Sequence, residues 1–178
     1  MPMSRPTLLH RVAALALLAA CPLTMANTAS LIQPQELSCQ FQATPKADGQ
    51  VVLHFTLRNA GARDLHLLRW GSPFEGAWFG RFVQASTPQG ELPFQGAMRK
   101  RGEPSAQDYL LLRAGQSLSA ELSLADAYAW PGQATGPLRL KAAWHWHDLI
   151  VQGAQQPPRP RAQHQGMDQD CGELTLGR

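Results

Sequence analysis

The sequence predicts an all-β, immunoglobulin-like antiparallel β-sandwich of about seven strands. Three observations carry that expectation. Short apolar segments alternate with period two, as where Val51, Leu53, Phe55 and Leu57 interleave with Val52, His54, Thr56 and Arg58. Turn formers are frequent, with Gly 15 and Pro 14 in 178 residues, which favours short strands over long helices. The alternation of strand and helix that builds a parallel sheet is missing from the pattern.

Taken in order, residues 37–43 form a first strand candidate with Leu37, Cys39 and Phe41 on one side. Lys46-Ala47-Asp48-Gly49 turns the chain into the strongly apolar strand at 50–58, and Asn59-Ala60-Gly61 turns it again. Residues 65–70 read as a third strand, broken by Gly71-Ser72-Pro73. A fourth is expected at 77–85, rich in Trp78, Phe79, Phe82 and Val83. Thr87-Pro88-Gln89-Gly90 is a turn, and Leu92-Pro93-Phe94 an edge piece, because Pro cannot donate to a ladder. Residues 109–112 are an apolar run of strand length. Residues 117–124 then alternate Leu118, Ala120, Leu122 and Leu124 with Ser117, Ser119, Glu121 and Ser123. One helical turn is expected at 125–130, ended by Pro131-Gly132. The last strand, 138–147, puts Leu138, Leu140, Ala142, Trp144 and Trp146 on one face. The sandwich domain is thus expected to span 37–151. Residues 152–178, rich in Gln and Pro and without period, read as a mobile arm tethered by Cys171.

Residues 1–26 read as an export signal. Arg5, His10 and Arg11 precede an apolar run from Val12 to Ala20 that is too short to span a bilayer. Two exits are open. Leu18-Ala19-Ala20-Cys21 resembles a lipobox with Cys21 as the lipidated residue, and Thr24-Met25-Ala26 is a small-residue cleavage site. Either places the domain outside the cytoplasm: periplasmic, lipid-anchored or secreted. With Cys21 lipidated or removed, Cys39 and Cys171 remain as an even pair in an oxidising compartment. A bridge would join the two ends of the domain; the alternative is two free thiols. The formal net charge of +3 is too small to argue for nucleic acid, and the one basic cluster, Arg99-Lys100-Arg101, has no interleaved aromatics.

Catalytic patterns are not found. There is no Gly-x-Ser-x-Gly elbow and no glycine loop for phosphates or dinucleotides. Cys39 has a disulfide partner in Cys171 and no evident activating base. His145 and His147, alternate residues of one strand, are the best metal candidates, but a zinc site needs three or four ligands. A third ligand would have to come from His54, His66 or Asp148. The simpler reading is a solvent-facing pair, so no metal and no cofactor are assigned. Glu75, Glu103 and Asp108 lie in loops. Glu103 and Asp108 read as solvated, or loosely paired with Arg99, Lys100 or Arg101. Trp70, Phe74, Trp78, Tyr109 and Tyr128 read first as core residues. The functional alternative makes 70–76 and 99–109 adjoining loops on a rigid sheet, a common form of binding surface. Its candidate partner-binding residues are Trp70, Phe74, Glu75, Arg99, Lys100, Arg101, Glu103 and Tyr109.

Three segments also carry a family resemblance. They are Trp70-Gly71-Ser72-Pro73-Phe74-Glu75-Gly76, Lys100-Arg101-Gly102-Glu103-Pro104-Ser105-Ala106-Gln107-Asp108-Tyr109, and Ala114-Gly115-Gln116-Ser117, extended by Asp126-Ala127-Tyr128 and Pro131-Gly132. In this order they resemble the amino-terminal pro-region of bacterial deuterolysin-type, lysine-specific zinc metalloendopeptidases. The resemblance covers roughly 51–140. Those peptidases carry a zinc-binding His-Glu-x-x-His helix in a following catalytic domain, and no such motif occurs in this sequence. The resemblance therefore implies a non-catalytic, pro-region-like module. Its expected partner is a protein, with a secreted metallopeptidase the first candidate, and its expected role is to restrain that enzyme or help it fold. The alternative is a structural or adhesive envelope lipoprotein, touching the membrane only through Cys21.

Overall fold

The computed structural model describes residues 36–129, 136–153 and 155–177. Among them, ten strands form three sheets. In chain order the strands are β1 Leu37–Pro45, β2 Val51–Asn59, β3 Leu65–Leu68, β4 Val83–Thr87, β5 Gly90–Glu91, β6 Tyr109–Leu112, β7 Ser117–Ser123, β8 Leu138–Trp146, β9 Leu149–Val151 and β10 Met167–Leu176. Their neighbours run β1-β2-β7, β10-β8-β4-β5 and β6-β3-β9, and every pairing is antiparallel.

Alternation sets the layers. Along β2, Val51, Leu53, Phe55 and Leu57 are buried, and along β8 every second residue from Leu138 to Trp146 is buried. These two inner faces meet: the Phe55 ring lies 6.0 Å from Phe82 and 6.3 Å from Trp144, edge to face in both cases. The protein is therefore an antiparallel sandwich with its main core between the layers. A second cluster, Leu68, Trp70, Tyr109 and Ile150, lies along the β6-β3-β9 sheet. Cys39 of β1 and Cys171 of β10 are bridged, with 4.7 Å between their Cα atoms, so a covalent link ties one layer to the other.

The all-β expectation holds, with ten strands in place of about seven. Several boundaries move. The third strand ends at Leu68 rather than at 70. The strand expected over 77–85 is Val83–Thr87 instead. Its first half is a coil that inserts Trp78 and Phe82 into the core, stacked 4.5 Å apart. That coil presses on the preceding turn so closely that a Cβ on Gly80 would lie 2.8 Å from the Gly71 Cα, a contact only glycine tolerates. The edge piece near 92–94 reduces to an isolated bridge between Phe94 and Tyr128, next to the two-residue β5. The helical turn is a 3₁₀ turn at Leu124–Asp126; Trp130, Pro131 and Gly132 lie outside the described residues, as do 1–35 with Cys21.

The largest correction concerns 152–178. This segment is not an appended arm. It supplies β10, paired along its length with β8, and it buries Arg159. The core-forming chain therefore extends past 151 to Leu176.

Candidate functional site

Register brings three loops to one edge of the β6-β3-β9 sheet. Leu68, at the end of β3, pairs with Tyr109, the first residue of β6. Its neighbour Leu67 pairs with Leu149, the first residue of β9. The chain leaving β3, the chain entering β6 and the β8–β9 corner therefore meet at this edge.

The loop after β3 winds around an acid. Ser72 Oγ donates to the Arg69 carbonyl (2.7 Å), and a 3₁₀ turn, Pro73–Glu75, ends at Gly76 with φ +79°. Glu75 points inward with its side chain 4% exposed. Its carboxylate accepts the Gly71 N–H at 2.9 Å, pairs with Arg101, and lies 3.6 Å from Arg99. Both guanidiniums also lie over aromatic rings. Arg101 sits 5.1 Å from the Trp70 ring and 5.5 Å from Phe79, and Arg99 sits 4.9 Å from Phe79. These are cation–π distances.

The loop before β6 is fixed by Asp108. Ser105 and Asp108 form a reciprocal capping box around the 3₁₀ turn Ala106–Asp108. The other Asp108 oxygen accepts the Trp70 indole N–H at 2.9 Å, and the Asp108 carbonyl accepts the Arg69 N–H at 3.0 Å. The two loops are thus locked together. Partial burial raises the Asp108 pKa, but the Ser105 donors, the Trp70 indole and the Arg69 charge outweigh it and hold the carboxyl below its ordinary value.

The third side comes from the C-terminal stretch. Asp148 is fully buried and is matched by Arg159, itself 7% exposed. Arg159 Nε donates to Asp148 at 3.1 Å and its Nη2 also reaches the Leu149 carbonyl at 2.8 Å. Tyr109 Oη and the Gln165 N–H complete the carboxylate's partners at 2.7 and 2.9 Å. Burial first, and then the bond to Asp148, push the Tyr109 phenol up to about 12. This network carries Arg161 to the loops. The Arg161 N–H donates to Glu103 at 3.0 Å and its Nη1 to the Arg101 carbonyl at 3.1 Å.

Between these elements lies a cleft of about 190 Å³. The rings of Trp70 and Phe79 line it, with the cations Arg99, Arg101 and Arg161 and the imidazoles of His147 and His164. Burial first, and then the positive neighbours His145, His164, Arg161 and Arg101, hold the His147 pKa below its ordinary value. The arrangement suits binding of a negative group over an aromatic floor.

The structure sorts the residues singled out from the sequence. Trp70, Glu75, Arg99, Arg101 and Glu103 come together around the cleft, and Lys100 is exposed beside them. Phe74 and Tyr109 do not present a contact surface. Phe74 packs on Trp144 and Trp146 (6.3 and 6.2 Å), and Tyr109 is buried on Asp148. Glu103 is exposed, as a solvated carboxylate would be, and accepts the Arg161 N–H, while Asp108 holds the Ser105 and Trp70 donors in place of a loose pairing with Arg99, Lys100 or Arg101. Of the metal candidates, His145 bonds Asp168 at 2.8 Å, its ring lies 5.8 Å from that of His147, and His54 pairs with Glu121 at 3.1 Å. Asp148, one of the three candidate third ligands, faces the interior and pairs with Arg159. Phe79, Arg161 and His164 escape a sequence reading. The usable signal was Pro157-Pro158-Arg159-Pro160-Arg161, a stiff segment in which proline restricts the chain.

Fold and site together define an antiparallel sandwich bearing a basic, aromatic-lined cleft between loops. No protein-family model matches the chain. Over 89 residues it is 33% identical to an extracellular protease of Aeromonas hydrophila; the matched stretch is 50% of this chain and 25% of that protein. The chain is therefore similar to part of a protease and spans only a fraction of its relative's length. Among the described residues, no helix is long and apolar enough to cross a membrane.

Proposed function

We propose that the chain is an exported, non-catalytic protein-binding module. It acts on a secreted peptidase, as an inhibitor that occludes the enzyme's cleft or as a folding helper. The observation that carries this reading is the 33% identity over 89 residues with 25% of an extracellular protease. A region of that relative size suits a pro-region better than a catalytic body, and the sequence contains no His-Glu-x-x-His helix. The joined loops support it. They present Arg99, Lys100 and a Met98 that is 99% exposed, on a base stiffened by buried hydrogen bonds. A large apolar side chain left in water beside arginines is a contact residue in waiting.

The test mixes the purified chain with the Aeromonas hydrophila extracellular protease and with secreted metallopeptidases of the producing organism. The reading expects an equimolar complex with at least one enzyme, together with slower hydrolysis of a protein substrate or improved refolding yield. Enzymes that stay unbound and fully active in excess chain, and refold no better with it, overturn the reading.

A second reading rests on Leu18-Ala19-Ala20-Cys21, the lipobox-like run: an envelope lipoprotein anchored at Cys21. Membrane fractionation of wild type and Cys21→Ser decides it. The anchor predicts a shift from membrane to soluble fraction, and identical fractions remove it.

A further inference from the structure

We propose that the cleft between Arg99, Arg101 and Arg161 is a carboxylate-binding site that receives an acidic residue or chain end of the partner protein. The inference deepens the reading above and rests on it for the partner being a protein.

The charge balance points to an anion. Three guanidiniums border the cleft, while Glu75 is the carboxylate paired with two of them. Glu103 engages the Arg161 backbone N–H, and among the described residues no carboxylate forms an ion pair with the Arg161 guanidinium. That guanidinium spends one donor on the Arg101 carbonyl and keeps the rest of its five. His147 and His164 add no negative charge, and His164 spends its Nε2 on the Arg159 carbonyl at 3.0 Å.

Arginine chemistry favours a planar anion. The Arg99 guanidinium carbon lies 4.9 Å from the Phe79 ring centroid and that of Arg101 5.1 Å from the Trp70 centroid, and both residues line the cleft. A guanidinium is weakly hydrated and presents a rigid fork that matches a carboxylate two bonds at a time. Glu75 does the positioning. With its side chain 4% exposed and fixed by the Gly71 N–H, it orients both arginines from beneath rather than covering them. Access is through Arg99, whose side chain is 55% exposed, and the exposed Arg161, while the Arg101 side chain is 18% exposed behind them.

Size sets the scale of the ligand. The cleft measures about 190 Å³. Sites for whole small molecules usually run from about 300 to 1,000 Å³. A space below that range suits the tip of a side chain or the last residue of a peptide.

The test is an NMR titration of the full chain, following the Trp70 indole N–H and the Arg99 and Arg161 Nε–H signals. The probes are a blocked pentapeptide with one central glutamate, its glutamine counterpart, a pentaglycine with a free carboxyl terminus, and inorganic phosphate. The proposal expects the glutamate or the free-terminus peptide to shift these signals saturably, with weakening by salt. Which of the two binds tells a side chain from a chain end. The glutamine peptide stays silent. The double variant Arg99→Gln/Arg161→Gln, both exposed positions, keeps its unfolding midpoint and binds at least about tenfold more weakly, as the loss of one charge-assisted bond requires. Silence toward both carboxylate peptides, binding of phosphate alone, or equal binding by the double variant overturns the site. The parent reading fails separately. Peptide binding without any peptidase complex sinks the reading and leaves the site, whereas a complex indifferent to the double variant does the reverse.

Discussion

Two regions meet at the cleft, and each centres on a buried carboxylate facing arginine, yet they are finished differently. In the C-terminal region Asp148 meets a single arginine. Its oxygens take the guanidinium, the Tyr109 hydroxyl and the Gln165 N–H, and Arg159 passes a further donor to the Leu149 carbonyl. Nothing is left for a ligand. In the loop region Glu75 meets two arginines whose outer edges face a cleft. On the proposed reading, the difference separates a structural ion pair from one that serves binding. The first saturates its hydrogen bonds and excludes water. The second leaves charge and donors in excess where solvent and a partner can reach them.

Four experiments break or sharpen that contrast. The largest effect belongs to the covalent tie of the C-terminal region. Removing the Cys39–Cys171 bridge, which closes a separation of 132 residues, should cost up to about 5 kcal/mol in the chain-entropy model. Denaturant unfolding of Cys39→Ser/Cys171→Ser reads it. Next comes Arg159→Met, which strands a buried carboxylate. A loss of about 3–5 kcal/mol is expected, with much of it recovered by adding Asp148→Leu, since a well-packed apolar pair can replace a buried ion pair. A smaller effect is expected for Glu75→Gln. The fold survives with a modest fall in melting temperature, while the Arg101 and Arg99 signals broaden as their orientation is lost.

The smallest effect is acid loosening of the loop lock. The folded Asp108 pKa lies below its unfolded value of 3.8. Its contribution is therefore present above that value and fades as pH falls through the folded pKa. The Trp70 indole N–H should exchange faster with solvent in that acid window, and Asp108→Asn should abolish the pH dependence. An indole N–H whose exchange ignores acid would sever the link between Asp108 and the loops.

How much of this was legible in the sequence follows from how local the physics is. The strand β8 shows strict alternation because one of its faces is wet and the other packs on Phe55 and Phe82, so its inner residues could be named in advance. The strand β10 conceals itself. Gln169 and Cys171 are its buried residues, and the pairing shifts register between Asp170 and Gly172, where Gly172 adopts φ +89°. Such a bulge interrupts the period on which a reading depends. The joining of 70–76 with 99–109 was open to inference because both are polar, turn-rich loops. The third side was not. Arg161 reaches the Arg101 carbonyl across 60 residues through a hydrogen bond that no local pattern encodes. Asp148 reads only as a candidate third ligand beside His145 and His147; a buried charge needs a partner, and no local pattern marks Arg159 as that partner.

The most direct measurement is the affinity of the chain for a secreted peptidase, wild type against Arg99→Gln/Arg161→Gln, by titration calorimetry. The account predicts an equimolar complex that weakens about tenfold or more in the double variant and loosens with salt. Equal affinities for the two proteins, or no complex with either, would contradict it.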